Sequence, residues 1–417
     1  MYRIQLKQIV VVLFCIALYT GMQGAKYFLS NRLQELGILI SLLLFVAGAF
    51  AAAYIVRKKD LKWSWWFLLT IGFVVYSVIL PGYIFSSQTG YSTLPSIFAS
   101  REFIGIVIGP ALWFLYRCGI DIEQIERAFA LTLGSLLISY VFHYFRMDLV
   151  ATLNSSDHTV AGLVSYDPWR GYRLRPPNTA LFLASIISPI LIYKEKVGRY
   201  RFFWIITLLL CLYTWSLFLS RATMATLIAA VLCYHLFFAR RSRLGLLFAT
   251  LPLIIIGSIY GFTAFLAHLE ALGPFDGVRY VSYNIAWDFF LQHPLLGAGQ
   301  DSNATITFRE IHWKYFFPTD IGIVGVMFKY GIVGTFLYLF FTFYIIVRLV
   351  STNWLYRKAY GSSNTLLFGL LVVFISFLLK IVLSPEFLRI TGSSLASIAI
   401  ALTAIWRHKI ISDHLAT

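Results

Sequence analysis

Two charged residues lie where a membrane protein rarely places charge. Arg221 separates two long apolar runs, and Asp320 opens another. Ionisable groups at membrane depth are costly, so each is a candidate functional residue. An arginine grips phosphate oxygens through paired N–H donors and stays charged when partly buried. A carboxylate at the start of a span can act as a general base or orient a hydroxyl, or it can simply cap the helix amides.

Further candidate site residues lie in segments predicted to be on the outer face of the membrane. Arg173 and Arg175 immediately precede a span, and Arg279 and His312 lie in a long outer segment. Several converging arginines suit a lipid-linked pyrophosphate, whose charged head lies near the membrane surface. Snorkelling to ordinary lipid phosphates is the alternative for each arginine. His312 is the reserve candidate for the base, because histidine titrates near neutral pH.

Membrane-spanning helices must position these residues. The chain has 417 residues, of which 59% are hydrophobic and 12% charged, whereas a soluble domain has about 25% charged residues. Its apolar runs approach the length of about 20 residues that crosses a bilayer. They predict about twelve spans, near residues 9–29, 36–56, 64–83, 102–118, 126–146, 177–193, 202–219, 222–239, 244–266, 320–349, 364–384 and 391–406. We therefore predict one all-α, polytopic integral membrane domain over residues 1–417.

The net charge of +16 follows membrane topology and does not indicate nucleic-acid binding. Lys and Arg lie at the ends of the spans, and segments on the side of the N-terminus hold 20 of the 34 basic residues. By the positive-inside rule this side is cytoplasmic, which places both termini there. Lys329, inside the tenth span, needs a partner or a wet cavity. The four cysteines fall inside spans and fit no metal spacing.

Two predicted outer segments, 147–176 and 267–319, are unusually long, and their aromatic and turn residues favour order. In the second, residues from Arg279 to Gln292 show apolar side chains at helical spacing, which predicts an amphipathic helix lying as a lid at the outer interface. His293-Pro294 ends this helix, and Gly297-Ala298-Gly299 predicts a tight turn. No internal repeat is visible, which argues against a transporter built from two matching halves.

Three groups of motifs make the chain resemble the O-antigen ligase and Wzy-type polysaccharide polymerase superfamily of bacterial inner-membrane glycosyltransferases. They are Ser220-Arg221-Ala222; Gly277-Val278-Arg279 with Trp287 and His293-Pro294-Leu295-Leu296-Gly297-Ala298-Gly299; and the span from Asp320 to Gly331-Ile332-Val333-Gly334. The resemblance covers roughly residues 202–345. It implies a GT-C-like bundle of about twelve helices that uses undecaprenyl-pyrophosphate-linked glycans without metal, cofactor or nucleotide sugar. Arg221 and Arg279 are then the arginines that bind the pyrophosphate.

The resemblance leaves polymerase and ligase open. Ligases of this group place a histidine, usually followed by asparagine, eleven residues before the Gly-hydrophobic-hydrophobic-Gly element, and here that position is Asp320. The difference favours a polymerase of lipid-linked repeat units on the periplasmic face, for O-antigen, capsule or exopolysaccharide. Its candidate catalytic residues are Asp320, Arg221, Arg279 and His312, and Arg173 and Arg175 join the pyrophosphate site.

The expected partners are the lipid-linked glycan donor and acceptor and the membrane lipids, with a chain-length regulator as a further candidate and no nucleic acid. One alternative is a ligase that transfers the glycan to lipid A-core. Another, of a different class, is a flippase or transporter of lipid-linked saccharides. A transporter predicts charged residues along a path through the bundle, whereas this sequence concentrates its polar, turn-rich segments on the outer face.

Overall fold

The chain folds as an all-α polytopic membrane protein. The computed structural model describes residues 2–28, 31–57, 68–69, 71–99, 105–106, 108–155, 162–167, 171–218, 224–225, 227–232, 277–299, 316, 318–381, 385–386 and 389–415. Among them, five helices are long and apolar enough to cross a bilayer, and four shorter apolar helices accompany them. The number of spans stays a prediction, because the predicted span 244–266 and parts of others lie outside these residues.

Seven helices with defined bounds lie in the described residues up to 155. They are α1 (Tyr2–Gly21), α2 (Asn31–Arg57), α3 (Ile71–Thr89), α4 (Thr93–Ala99), α5 (Ile108–Arg117), α6 (Ile122–Arg146) and α7 (Leu149–Leu153). A 3-10 turn over Gly24–Phe28 follows α1, and α3 contains a π-helical turn over Val75–Ile79. Gly109 of α5 faces Ser397, and a Cβ at this glycine would overlap the serine. Small residues therefore let these helices pack closely, as is common in membranes.

Six helices with defined bounds follow among the described residues after 155. They are α8 (Asn178–Lys194), α9 (Gly198–Phe218), α10 (Gly277–Gln292), α11 (Ile323–Tyr360), α12 (Thr365–Lys380) and α13 (Ile390–Leu415). Helix α13 packs against α1, α5, α8, α11 and α12, and its apolar side chains lie in the main core. It is therefore a central helix of the bundle, and residues at its two ends are held by several neighbours.

The outer segment predicted at 147–176 is ordered where it is described, but it contains strands that the sequence did not predict. Asp148 Oδ1 caps α7 by accepting hydrogen bonds from two backbone amides at 3.0 Å. Strands β1 (Val164–Asp167) and β2 (Gly171–Leu174) pair antiparallel. Leu174 is buried with tyrosines of α6 and the 3-10 turn. This small hairpin therefore packs against the end of the bundle.

The helix predicted between Arg279 and Gln292 is confirmed as α10, which begins two residues earlier. Its place as a lid at the outer interface stays a prediction. The tight turn is confirmed as well, since Gly297 and Gly299 have φ of 68° and 70°. Ala286 of α10 packs with Ile321 and Phe328 in a small separate core. Helix α10 therefore lies against the beginning of α11 and the turn that precedes it.

Candidate active site

Asp320 closes a 3-10 turn, Pro318–Asp320, directly before α11. The N-cap of α11 is Gly322, and no side chain caps this helix, so the carboxylate of Asp320 does not have the capping role. Its Oδ1 accepts a hydrogen bond from Nη2 of Arg389 at 3.0 Å. Among the described residues Oδ2 accepts no hydrogen bond, and 41% of the side chain is exposed. One carboxylate oxygen is thus fixed while the other can receive a substrate hydroxyl.

Arg389 belongs to a chain of alternating charges. Nζ of Lys380 lies 2.5 Å from Oε1 of Glu386, and both side chains are almost fully buried. Burial alone would raise the pKa of Glu386, but Lys380 and Arg389 outweigh it and lower that pKa. Burial would likewise lower the pKa of Arg389, but the Glu386 and Asp320 carboxylates raise it. Lys380, Glu386, Arg389 and Asp320 thus form a series of charges that alternate in sign.

Arg175, which directly follows the hairpin, interacts electrostatically with Asp320 and Arg389. Its amide donates to the Leu163 carbonyl at 2.8 Å, which extends the pairing of β1 and β2 by one residue. Its carbonyl accepts a hydrogen bond from the Tyr27 hydroxyl at 2.9 Å. Protein around the guanidinium lowers the pKa of Arg175; the nearby Asp320 carboxylate raises it, and Arg389 lowers it further. The structure thus brings Arg175, Asp320 and Arg389 within electrostatic range of one another.

One buried hydrogen bond ties the two helices that follow Arg175 and Arg389 along the chain. Oγ1 of Thr179, in the first turn of α8, donates to Oγ1 of Thr391, in the first turn of α13, at 2.8 Å. Gly392 lies so close to the Glu386 carbonyl that a Cβ there would overlap it. The starts of α8 and α13 and the loop bearing Glu386 are therefore held together.

Helix α11 is broken at Gly331, where φ is 63° and ψ is −167°. The break separates the amides of Ile332 and Val333 from the carbonyls of Phe328 and Lys329, their partners in an uninterrupted helix. Residues 294–299 enter this gap and bond to all four groups. The amides of Ala298 and Gly299 donate to the two carbonyls at 2.6 and 2.9 Å, and the carbonyls of Pro294 and Leu295 accept from the two amides at 2.8 and 3.4 Å.

This insertion explains why two of the sequence motifs are rich in glycine. A Cβ at Gly297 would lie 2.5 Å from the Gly331 nitrogen and from the Phe328 carbonyl oxygen, and a Cβ at Gly331 would overlap the backbone at Leu295. Gln88 of α3 also donates to the Gly297 carbonyl. The contact fixes the end of α10 to α11, and hence the helix that carries Arg279 to the helix that follows Asp320.

The structure gives less information on the other predicted site residues. Arg221 and His312 lie outside the described residues. Arg279 is in the first turn of α10, and only its backbone is described. Arg173 is half-buried beside Tyr140 of α6. The roles of these four residues stay predictions.

Sequence reasoning missed Lys380, Glu386 and Arg389. A signal was present, because Lys380 falls inside the predicted span 364–384, where charge is costly. Lys329, which the same rule selected, is buried in α11 with Nζ 4.9 Å from the centre of the Tyr330 ring. Its predicted need for a partner is met in part by this cation–π contact.

A cavity of about 230 Å³ lies at the end of the bundle away from Asp320. The start of α6, the end of α8 and the start of α12 line it. The Glu126 carboxylate in its wall accepts hydrogen bonds from Trp406 at 2.6 Å and from Asn364 at 2.8 Å. Arg127 lies 3.7 Å from Glu195. These charged groups are satisfied by one another and by neighbouring side chains, unlike Asp320 Oδ2, which makes the Asp320 end the better candidate for an active site.

Comparison with known proteins agrees with the resemblance seen in the sequence. A family model described as O-antigen ligase matches residues 206–339. This segment includes α10, the inserted turn, Asp320 and the broken part of α11. Arg173, Arg175, Lys380, Glu386 and Arg389 lie outside it. No curated protein matches the chain.

Proposed function

We propose that this membrane protein belongs to the O-antigen ligase and Wzy superfamily and polymerises undecaprenyl-pyrophosphate-linked oligosaccharide repeat units. The match of residues 206–339 to a family model described as O-antigen ligase supports the proposal. The single observation that carries the proposal is the placement of Asp320. One oxygen of its carboxylate is held by Arg389 and the other is open. Asp320 is within electrostatic range of Arg175, and its turn contacts the helix that carries Arg279. A group that orients a hydroxyl thus stands next to cations suited to a pyrophosphate.

The proposed step is one displacement at the anomeric carbon of the donor. A hydroxyl of the acceptor sugar forms the new C–O bond, and the bond from this carbon to the pyrophosphate oxygen breaks. Undecaprenyl pyrophosphate leaves with the electron pair, and the hydroxyl proton passes to Asp320 or to water. Cleavage of the pyrophosphate linkage supplies the driving force, so no nucleotide is consumed. A single displacement inverts the configuration at this carbon.

Arginines act on the charge that develops on the leaving group. Arg221 and Arg279 are the proposed pyrophosphate ligands, and preorganised donors of this kind are worth about 100- to 1,000-fold in rate. The anomeric carbon is bonded directly to the pyrophosphate, so a ligand of the donor pyrophosphate must lie near the hydroxyl-orienting group. Arg175 meets this requirement because it lies within electrostatic range of Asp320. Arg173, which lies in β2 two residues before Arg175, is proposed to extend the site.

In this proposal the Asp320 end of the bundle faces the periplasm of a bacterial inner membrane, and both termini are cytoplasmic. The acceptor is a second lipid-linked repeat unit, and a chain-length regulator is a proposed partner. Ligation of the glycan to lipid A-core is the second candidate, favoured by the description of the matching family model. Asp320 favours the polymerase, because ligases of the group place histidine there.

The test is reconstitution of the purified protein in lipid with a synthetic undecaprenyl-pyrophosphate repeat unit, with products resolved by size. We expect a ladder of products. Asp320→Asn should reduce its formation by about 100-fold or more, and Arg221→Ala or Arg279→Ala by a similar factor. The matched control is Asp288→Asn, which removes an exposed carboxylate from α10 and should leave the ladder unchanged.

Other outcomes assign other functions. Absence of a ladder with transfer of glycan to added lipid A-core would identify a ligase. Absence of both products from a folded protein supplied with its native repeat unit would favour transport of the lipid-linked saccharide. A ladder that persists in Arg221→Ala would contradict the proposed mechanism.

A further inference from the structure

The Asp320 carboxylate is bound by a residue that lies 69 positions away in sequence and outside the matched family segment. Its described ion pair is with Arg389, and Arg389 follows Glu386 in the loop between α12 and α13. The arginine amide also donates to the Glu386 carbonyl at 3.0 Å. The backbone of Arg389 is therefore fixed to this loop, and its side chain is fixed to the turn that carries Asp320.

Charge balance explains why Arg389 turns toward Asp320. The Glu386 side chain is 1% exposed, and a buried carboxylate requires compensation by cations and hydrogen bonds. Lys380 supplies one positive charge at 2.5 Å, which leaves the charge of Arg389 in excess beside Glu386. A second carboxylate balances that excess, and Asp320 provides it. The charges thus alternate from the buried Lys380 through Glu386 and Arg389 to the partly exposed Asp320.

Backbone and side-chain hydrogen bonds hold the segment that carries Arg389 in place. Arg389 precedes α13 directly, and the Ser393 amide donates to the Arg389 carbonyl at 3.1 Å. The first turn of α13 is tied to α8 through Thr391 and Thr179. A guanidinium on such a support can hold a carboxylate more precisely than one on a free loop.

We propose that Arg389 is a positioning residue that fixes the Asp320 carboxylate for the acceptor hydroxyl, and that Glu386 and Lys380 hold Arg389 for this task. The proposal rests on the proposed glycosyl transfer and deepens it. Arg389 then acts through Asp320 and does not itself bind the donor pyrophosphate. This distinguishes it from Arg175, whose guanidinium donates to no described residue.

The test is a double-mutant cycle in the reconstituted ladder assay, with Asp320→Asn, Arg389→Gln and the double variant, each measured for kcat and for the KM of the donor. Misplacing a reacting group by about 1 Å can cost about 100-fold, so we expect Arg389→Gln to lower kcat by about 10- to 100-fold. Its donor KM should change by less than about threefold. In the Asp320→Asn background the same change should cost less than about threefold in kcat.

Two further variants separate positioning from folding. Arg389→Lys keeps the charge next to Glu386 and Asp320 but loses the fork, so it should recover part of the lost kcat. The matched control is Asp121→Asn, which breaks an ion pair of 3.2 Å with Lys409 at the other end of α13. This control should leave kcat unchanged, because its pair makes no contact with the Asp320 turn.

The outcomes are distinct. If the losses in kcat caused by Asp320→Asn and Arg389→Gln add up in the double variant, the positioning role is overturned and the proposed function stands. A higher donor KM at unchanged kcat would show instead that Arg389 binds the pyrophosphate. If Arg389→Gln does not fold, the cycle is run with Arg389→Lys, and an activity equal to wild type would overturn the proposal. A folded wild-type protein without any product would overturn the proposed function and the positioning role together.

Discussion

Replacing Gly331 by alanine should destabilise the protein far more than a typical glycine substitution in a helix. Gly331 has φ of 63° and ψ of −167°, a region that is essentially restricted to glycine and costs other residues about 1–3 kcal/mol. A Cβ there would also lie under 3.0 Å from the Leu295 carbonyl and the Leu296 amide. These are backbone atoms and cannot rotate away, so overpacking adds about 1–3 kcal/mol. The expected loss is therefore about 2–6 kcal/mol in the free energy of unfolding.

A matched control lies in the same helix. Gly361, the C-cap of α11, has φ of 71° and ψ of −6°, and a Cβ there would meet nothing within 4 Å. Gly361→Ala therefore carries only the left-handed backbone cost of about 1–2 kcal/mol. The difference between the two variants isolates the contact between α11 and the inserted turn.

The assay combines thermal unfolding of the purified protein in detergent with hydrogen exchange. We expect Tm to fall further in Gly331→Ala than in Gly361→Ala. Exchange should also accelerate in Gly331→Ala at the amides of Ala298, Gly299 and Ile332, because these amides bond across the break. Equal Tm values with unchanged exchange would refute the reasoning that the inserted turn replaces the broken helical hydrogen bonds.

Three further predictions concern the ends of α8 and α13. Thr179→Val removes the hydrogen bond to Thr391 and should lower the free energy of unfolding by about 0.5–1.5 kcal/mol; an unchanged Tm would contradict it. Arg175→Ala should raise the donor KM in the ladder assay, whereas Arg201→Ala, which removes an exposed arginine from α9, should not. Glu386 has a pKa lowered from 4.5, so its contribution to stability should be complete above pH 4.5 and be lost as pH falls through the folded pKa. A pH series of Tm values from pH 7 to about pH 3 checks this, and Glu386→Gln should lack that loss.

The membrane class and the described part of the second outer segment, residues 277–299, could be predicted from the sequence. Apolar runs near the bilayer thickness identify spans whatever their partners are. The spacing of apolar residues predicted α10, and His293-Pro294 and the glycines after it predicted its end and the turn. The strands around Arg173 could not be found this way, because β1 and β2 are short and gain their burial from tyrosines elsewhere in the chain.

Part of the candidate site was also within reach of the sequence. Asp320 was selected because charge beside an apolar span is costly unless it has a use or a partner. Arg175 was selected as one of several outer arginines that suit a pyrophosphate. The same rule applied to Lys380 would have drawn attention to the loop that carries Glu386. The sequence did not separate the capping role of Asp320 from a catalytic one, since both require a carboxylate at a helix start.

The sequence by itself determined that this chain is a helical membrane protein with charged residues concentrated near certain span ends, because hydrophobic length and charge cost are properties of each segment alone. Only the tertiary structure decided which charges meet. It paired Asp320 with Arg389, and it placed the turn after α10 into the break at Gly331. Those contacts join segments far apart in the chain, and their partners are selected by packing and by the need to satisfy buried polar groups.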